Sequence, residues 1–203
     1  MKSFEILSRE WLLFLIFIIM FLSGLFIAEL FYRFNKGKAV KLGEKLDGLR
    51  DVHIRLIRKN LTKPYGILRI VLLIFAMNLF GGAFIWSSIG GVFVAVPFFY
   101  YFLIGFLTNL VLKRYPERIN WLTFPNIIFE VAAFMVAAIG AVNIGLSIFG
   151  PTDLLTALKE WGLLFITVVV PLQIIAAIFE GLLFNKIFIV QKNPWPRGTS
   201  ENE

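Results

Sequence analysis

The chain has 203 residues, 59% hydrophobic and 16% charged, with a net charge of +7 and a mean hydropathy of +0.82. A soluble domain of this size keeps most of its surface polar, so this composition excludes one and fits a chain whose solvent is the bilayer. Zero cysteines exclude disulfides, thiol catalysis, iron–sulfur clusters and thiolate zinc sites, and the single histidine, His53, leaves neither a haem pair nor an HExxH-type zinc site, so no cofactor or metal is expected.

A transmembrane helix needs about 20 apolar residues to cross roughly 30 Å of hydrocarbon. Five stretches satisfy that length, and the expectation is an all-α, polytopic membrane protein with one domain over residues 1–203. The first span, about 11–31, follows MKSFEILSRE, whose two glutamates argue against a cleavable signal peptide, so it reads as an anchor. Between Lys36 and Leu61, the residues Val40, Leu42, Leu46, Leu49, Val52, Leu56, Ile57 and Leu61 recur at three- and four-residue steps among lysines and arginines. That pattern predicts a basic amphipathic helix, ended by Pro64. Such a helix suits an anionic membrane surface, or a cytoplasmic partner whose groove takes the apolar stripe.

The second and third spans, about 67–86 and 92–112, are separated only by Ser87-Ser88-Ile89-Gly90-Gly91, which predicts a tight turn and a hairpin. The fourth and fifth spans are expected at about 126–149 and 163–189, and residues 191–203 form a polar, disordered tail. The charges test this count. With five spans, Lys2, Arg9 and Lys159 fall on one side and the other seventeen lysines and arginines on the other, eleven of them between Arg33 and Arg69. This asymmetry places the N-terminus outside and the C-terminus in the cytoplasm of a multi-pass cell-membrane protein. It also accounts for the net charge through lipid headgroups and insertion, without a nucleic-acid partner.

Ionisable groups in hydrocarbon are costly, so Glu29, Glu130 and Glu180 each need an explanation. All three lie toward the basic side of their spans. Glu29, near Arg33, reads as an anchor of the inner rim. Ala133, Ala137, Ala141 and Gly145 form a small-residue stripe for helix packing, and Ala137 lies within roughly 20° of Glu130, which turns that carboxylate toward the bundle. Gln173, Ala177, Glu180 and Gly181 share a face of the fifth span just after Pro171, which is expected to bend it. Two small-residue faces, each with a glutamate, predict that the fourth and fifth helices pack together. A dry pair of carboxylates there would share a proton or hold a cation. A second account of Glu130 is structural: Pro125 and an acid near a helix start both favour that end. Asn78, Asn109 and Asn143 read first as helix bridges, and Gly81-Gly82 permit close approach near Asn78.

"FAMN" at Phe75–Asn78, the glycine-rich segment through Gly90-Gly91, Asn109, and "FPNIIFE" at Phe124–Glu130 followed by the alanine and glycine stripe together resemble the stage II sporulation protein M family. The resemblance covers about 68–188. In the family's P-H-G-I-x-E segment, Pro125, Ile128 and Glu130 match, while Asn126 and Ile127 replace His and Gly. Those departures remove the histidine that would partner the glutamate and leave Glu130 as the position the resemblance transfers. The resemblance implies a five-span membrane protein of a kind that, in spore-forming bacteria, assembles with peptidoglycan-degrading partners, with membrane scaffolding as the common denominator.

An enzyme is the least expected class, since no span holds an aspartate, a Ser/His pair or a zinc site. Two functions remain. One is a scaffold or assembly subunit, with membrane lipids and membrane-protein partners or a second copy of itself. The other is a carrier or permease component that uses the buried glutamates, Gln173, Asn78 and the Pro171 interruption for proton or ion coupling.

Overall fold

A computed structural model describes residues 2–61, 64–114, 121–150 and 153–190, and all regular structure among them is helical. α1 is Lys2–Arg9, α2 is Trp11–Phe34 and α3 is Lys36–Leu61. α4 (Gly66–Ala76) runs into a π-helical segment, Met77–Ile89, and then α5 (Gly90–Val92). α6 is Val96–Arg114 and α7 is Thr123–Phe149. α8 (Leu154–Leu164) passes through a second π-helical segment, Phe165–Val169, into α9 (Val170–Val190). Among the described residues, five helices are long and apolar enough to cross a membrane: Trp11–Phe34, Gly66–Val92, Val96–Lys113, Thr123–Ile148 and Leu154–Lys186. We number them as the first to fifth spans. The expected tail at 191–203 lies outside the described residues.

Two boundaries differ from the sequence expectation. Ser87-Ser88-Ile89-Gly90-Gly91 is not the turn; it is helical, and the turn is Phe93-Val94-Ala95. There the Phe93 N–H donates to the Gly90 carbonyl at 3.1 Å and the Val96 N–H to the Phe93 carbonyl at 2.9 Å. Gly91 serves packing instead, because a methyl group on it would press on the Ala141 side chain and the Ala138 carbonyl. Pro97, in the first turn of α6, occupies a position where a missing N–H breaks no helical bond. The fifth span begins at Leu154, ahead of the expected Leu163, since Asp153 caps α8 by accepting from the Thr156 N–H at 2.9 Å and the Thr156 hydroxyl at 3.0 Å.

The fourth span is the centre. In it 61% of the apolar stretch is buried, against 17–28% in the other four, so the others are arranged around it. The second span packs on it through the π-helical segment and α5, and the fifth through α8 and α9. The first and third spans pack along one another as a separate pair. Their seam starts at Phe17, whose ring meets Phe98 and Tyr101 at 5.3 and 4.8 Å between centroids. It continues at Gly24 and Gly105, where an added methyl group would overlap the Phe102 and Phe21 carbonyl oxygens respectively. Backbones this close gain dispersion contacts, which drive helix association where lipid removes the hydrophobic incentive. The Asn109 amide donates to the Leu25 carbonyl at 2.8 Å, and the Glu29 carboxylate closes the seam with Lys113 at 2.9 Å and Arg33 at 2.8 Å.

α3 straps the basic end. Ala39 is buried with Ala28 and Leu110 of the first and third spans, and Ile57 with Ile70, Ile74 and Ala177 of the second and fifth. The bundle thus covers part of the stripe expected to face lipid, while Val40 and Leu56 stay exposed. At the opposite end α1 lies across α8, with Arg9 on Glu160 at 2.6 Å and the Ser3 hydroxyl 2.8 Å from that of Thr167.

Gly24→Val or Gly105→Val should lower thermal stability in detergent by roughly 1–3 kcal/mol, the usual cost of overpacking. Gly162→Ala should be neutral or stabilising, because nothing lies within 4 Å of the position its methyl group would take. Equal effects at all three sites would refute the backbone contact. The Thr156 N–H holds the Asp153 carboxyl below the ordinary carboxylate range. A lowered folded-state pKa stabilises above the unfolded value and stops doing so as pH falls through the folded one. Amide protection at Thr156 should therefore decline on acidification, and Asp153→Asn should remove that dependence.

Candidate functional site

Polar residues inside a bundle are held where the registers of the surrounding helices put them. A methyl group on Gly82 of the second span would strike the Phe134 ring of the fourth, so these residues are level. One turn toward the basic end on these parallel helices lie Asn78 and Glu130. Ile74 and Ala177 share one buried cluster across the antiparallel second and fifth spans. One turn onward lie Asn78 and Gln173. Counted from these contacts, Asn78, Glu130 and Gln173 come to a similar height on three helices, and we refer to them as the polar layer.

Gln173 is fully buried, and its amide donates to the Glu130 backbone carbonyl at 3.4 Å. Its Oε1 and the Nδ2 of Asn78 are buried without a hydrogen-bond partner among the described residues. Asn126, one turn before Glu130 in α7, is 8% exposed, and its Oδ1 is likewise unpartnered. Pro125 sits beside it in the first turn of α7, as the helix-start reading expects, but that helix begins at Thr123, so Glu130 lies about two turns in and is not a first-turn acid. Tyr100 of the third span lies within electrostatic range of the Glu130 carboxylate and stacks on Trp86 at 6.0 Å and 12°.

Both helices that flank Glu130 are π-helical close to this layer. In the second span the widened turns begin at Met77, next to Asn78, and the Gly90 N–H reaches back five residues to the Ile85 carbonyl. In the fifth they occupy Phe165–Val169, and the Val170 N–H donates to the Phe165 carbonyl. The cause there is Pro171, which has no N–H and whose ring crowds the Thr167 carbonyl one turn earlier. In the second span Gly81-Gly82 weaken the ordinary helical preference, and the Ser88 hydroxyl accepts from the Trp161 indole at 3.1 Å while donating to the Ala83 carbonyl at 2.8 Å.

The small-residue stripes have a different use from the expected one. The fourth and fifth spans do pack together, and Phe129 and Phe179 stack at 5.9 Å. However, Ala141 and Gly145 receive Gly91 and Val92, and Gly181 receives Val71, all from the second span. Ala133 and Ala137 are buried in the central core. Gln173 reaches the backbone carbonyl of Glu130. Glu180 stands seven positions further along α9, about 10 Å toward the basic end, half-buried on the same face. Asn109 bridges the first and third spans, away from this layer.

Sequence reasoning passed over Gly24, Gly105, Tyr101 and the Ser88–Trp161 bond. The available signal for the two glycines was their isolation, each being the single glycine in its span's apolar run. Comparison with protein-family models, with curated proteins and with solved structures returns no match. The resemblance to stage II sporulation protein M rests on the residues quoted for it.

Gln173→Leu should leave thermal stability unchanged or raise it, since leucine fills similar space and removes an unpartnered oxygen whose burial costs about 1–3 kcal/mol. A clear fall in melting temperature would show instead that the amide bridge to the fourth span outweighs that cost.

Proposed function

We propose that the chain is a multi-pass cell-membrane scaffold, an assembly subunit without catalytic chemistry of its own, with its N-terminus outside and its C-terminus in the cytoplasm. The observation that carries this reading is how the polar span residues are used. Asn109, Gln173, Tyr101 and Trp161 each donate to a different helix, and Glu29 ties the first span to the third. Polar groups in these roles fasten spans to one another. The outer faces of the first, second and fifth spans carry exposed large apolar residues such as Phe26, Leu72 and Ile166, which suits contact with lipid and with other membrane proteins. On this reading α3 is the cytoplasmic element, basic and with Val40 and Leu56 exposed, that meets headgroups and cytoplasmic partners. The resemblance to stage II sporulation protein M supports the same class.

A carrier remains the second reading, favoured by one observation: the layer of Asn78, Glu130 and Gln173 lies beside widened turns in two spans. Interrupted helices with buried polar groups are how carriers hold ions near the membrane centre.

Affinity purification in native lipid through a C-terminal tag, beside Glu130→Ala, tests the choice. A scaffold yields a reproducible set of co-purifying membrane proteins; a carrier yields the chain alone and proton or ion flux in liposomes that Glu130→Ala abolishes. Orientation is checked on the cysteine-free chain. Cysteines placed at the exposed Glu5 and Asp153 should react with an impermeant reagent from outside, and one at the exposed Lys38 should not.

A further inference from the structure

The second and fifth spans leave between them a groove of about 780 Å3, open on the outside of the bundle. Its walls are Leu68, Val71, Leu72 and Phe75 on one side and Ile174 and Ile178 on the other, and its mouth is at Tyr65 and Gly66. We infer that this groove holds one acyl chain of an anionic phospholipid, with the headgroup phosphate at Arg69.

Three features select that occupant. The first is length. From Tyr65 to Phe75 the groove follows the helix for ten residues, about 15 Å, which is half of a hydrocarbon core of roughly 30 Å and therefore one leaflet. A transmembrane helix of a partner would need a track through both leaflets. The second is the lining. Helices dock on small residues, and the nearby small residues are already used, Gly181 by Val71 and Ala177 by Ile70 and Ile74. What remains is branched and aromatic side chains, a surface that suits a flexible chain. The third is charge. The mouth lies at the basic end, where Arg69 is exposed on the first turn of α4 and has no ion pair among the described residues. Tyr65 beside it is 81% exposed, an amphipathic ring of the kind that favours the headgroup level. α3 packs against α4 and brings Arg55 and Lys59 to the same end. A zwitterionic headgroup such as phosphocholine also brings a phosphate to Arg69, but its own cation offsets that charge, so an anionic headgroup is preferred there.

The test uses the full chain in nanodiscs of phosphatidylcholine with a minor fraction of phosphatidylglycerol, followed by detergent extraction and native mass spectrometry of retained lipid. Wild type should retain phosphatidylglycerol in preference to phosphatidylcholine. Arg69→Gln, an exposed change that leaves the packing intact, should reduce that preference about fivefold, the factor expected for one cation at an anionic surface. Leu72→Trp should fill the groove and abolish retention of both lipids. Retention without headgroup preference, or preference untouched by Arg69→Gln, would overturn the assignment. So would a protein dimer that Leu72→Trp dissociates, which would give the groove to a second copy of the chain.

Discussion

Close approach of helix backbones is the condition on which the rest of this bundle depends. Between helices in lipid there is no hydrophobic gain, because a leucine meets equally apolar surroundings against a tail or against a neighbour. What remains is dispersion and interhelical hydrogen bonding, and dispersion weakens steeply with separation, so helices gain most where small residues let them approach closely. Gly24 against Phe102, Gly105 against Phe21 and Gly145 against Val92 bring backbones together, and Gly91 and Gly181 make room for the Ala141 and Val71 side chains. They explain why the second span touches both the fourth and the fifth, and why the fourth is the most buried. They also explain the tolerance for bulky exposed residues elsewhere, since the outer faces do not have to fit against protein.

The polar layer follows from the same geometry. Once the glycines fix the level of each helix, Asn78, Glu130 and Gln173 are brought to one height whatever their individual preferences. In lipid every freed backbone group must find a partner within the protein, so turns widened to π geometry occur where other helices or hydroxyl groups cover them. The fifth span meets this with the Thr167 hydroxyl on the Leu163 carbonyl at 2.7 Å, and the second with Ser88 on Ala83. Widened turns and unpartnered amide atoms around one glutamate store a cost that a uniformly apolar bundle would avoid.

The sequence carried the number of spans and the side of most of the charge, because both depend on length and composition alone. Boundaries were less legible. Gly90-Gly91 reads as a turn in sequence, but a glycine pair serves a turn and a helix crossing equally well, and only the position of Ala141 decides between them. The start of the fifth span was hidden because Lys159 and Glu160 interrupt its apolar run, and the pairing of Glu160 with Arg9 is a contact 151 residues distant in sequence. The stripe of Ala133, Ala137, Ala141 and Gly145 was visible, but a small-residue face specifies closeness and not identity of the neighbour. For the same reason the face shared by Gln173 and Glu180 did not say which of its residues meets the fourth span at Glu130, where the Gln173 amide reaches the backbone carbonyl.

The two groups of helices are tied differently at their two ends, and this bears on what the molecule can do. At the basic end α3 is anchored on the first and third spans through Ala39 and on the second and fifth through Ile57, so one rigid element of 26 residues sets their spacing. At the other end α1 ties the first span to the fifth through Ile6, buried in the central core, and through Arg9, whose guanidinium donates twice to the Glu160 carboxylate, at 2.6 and 3.2 Å. Between these ends the pair and the triplet meet mainly through Phe17, Tyr101 and Ser87. Elements that cross between the pair and the triplet at both ends limit how far the two groups can slide past one another, because each crossing element is packed against both.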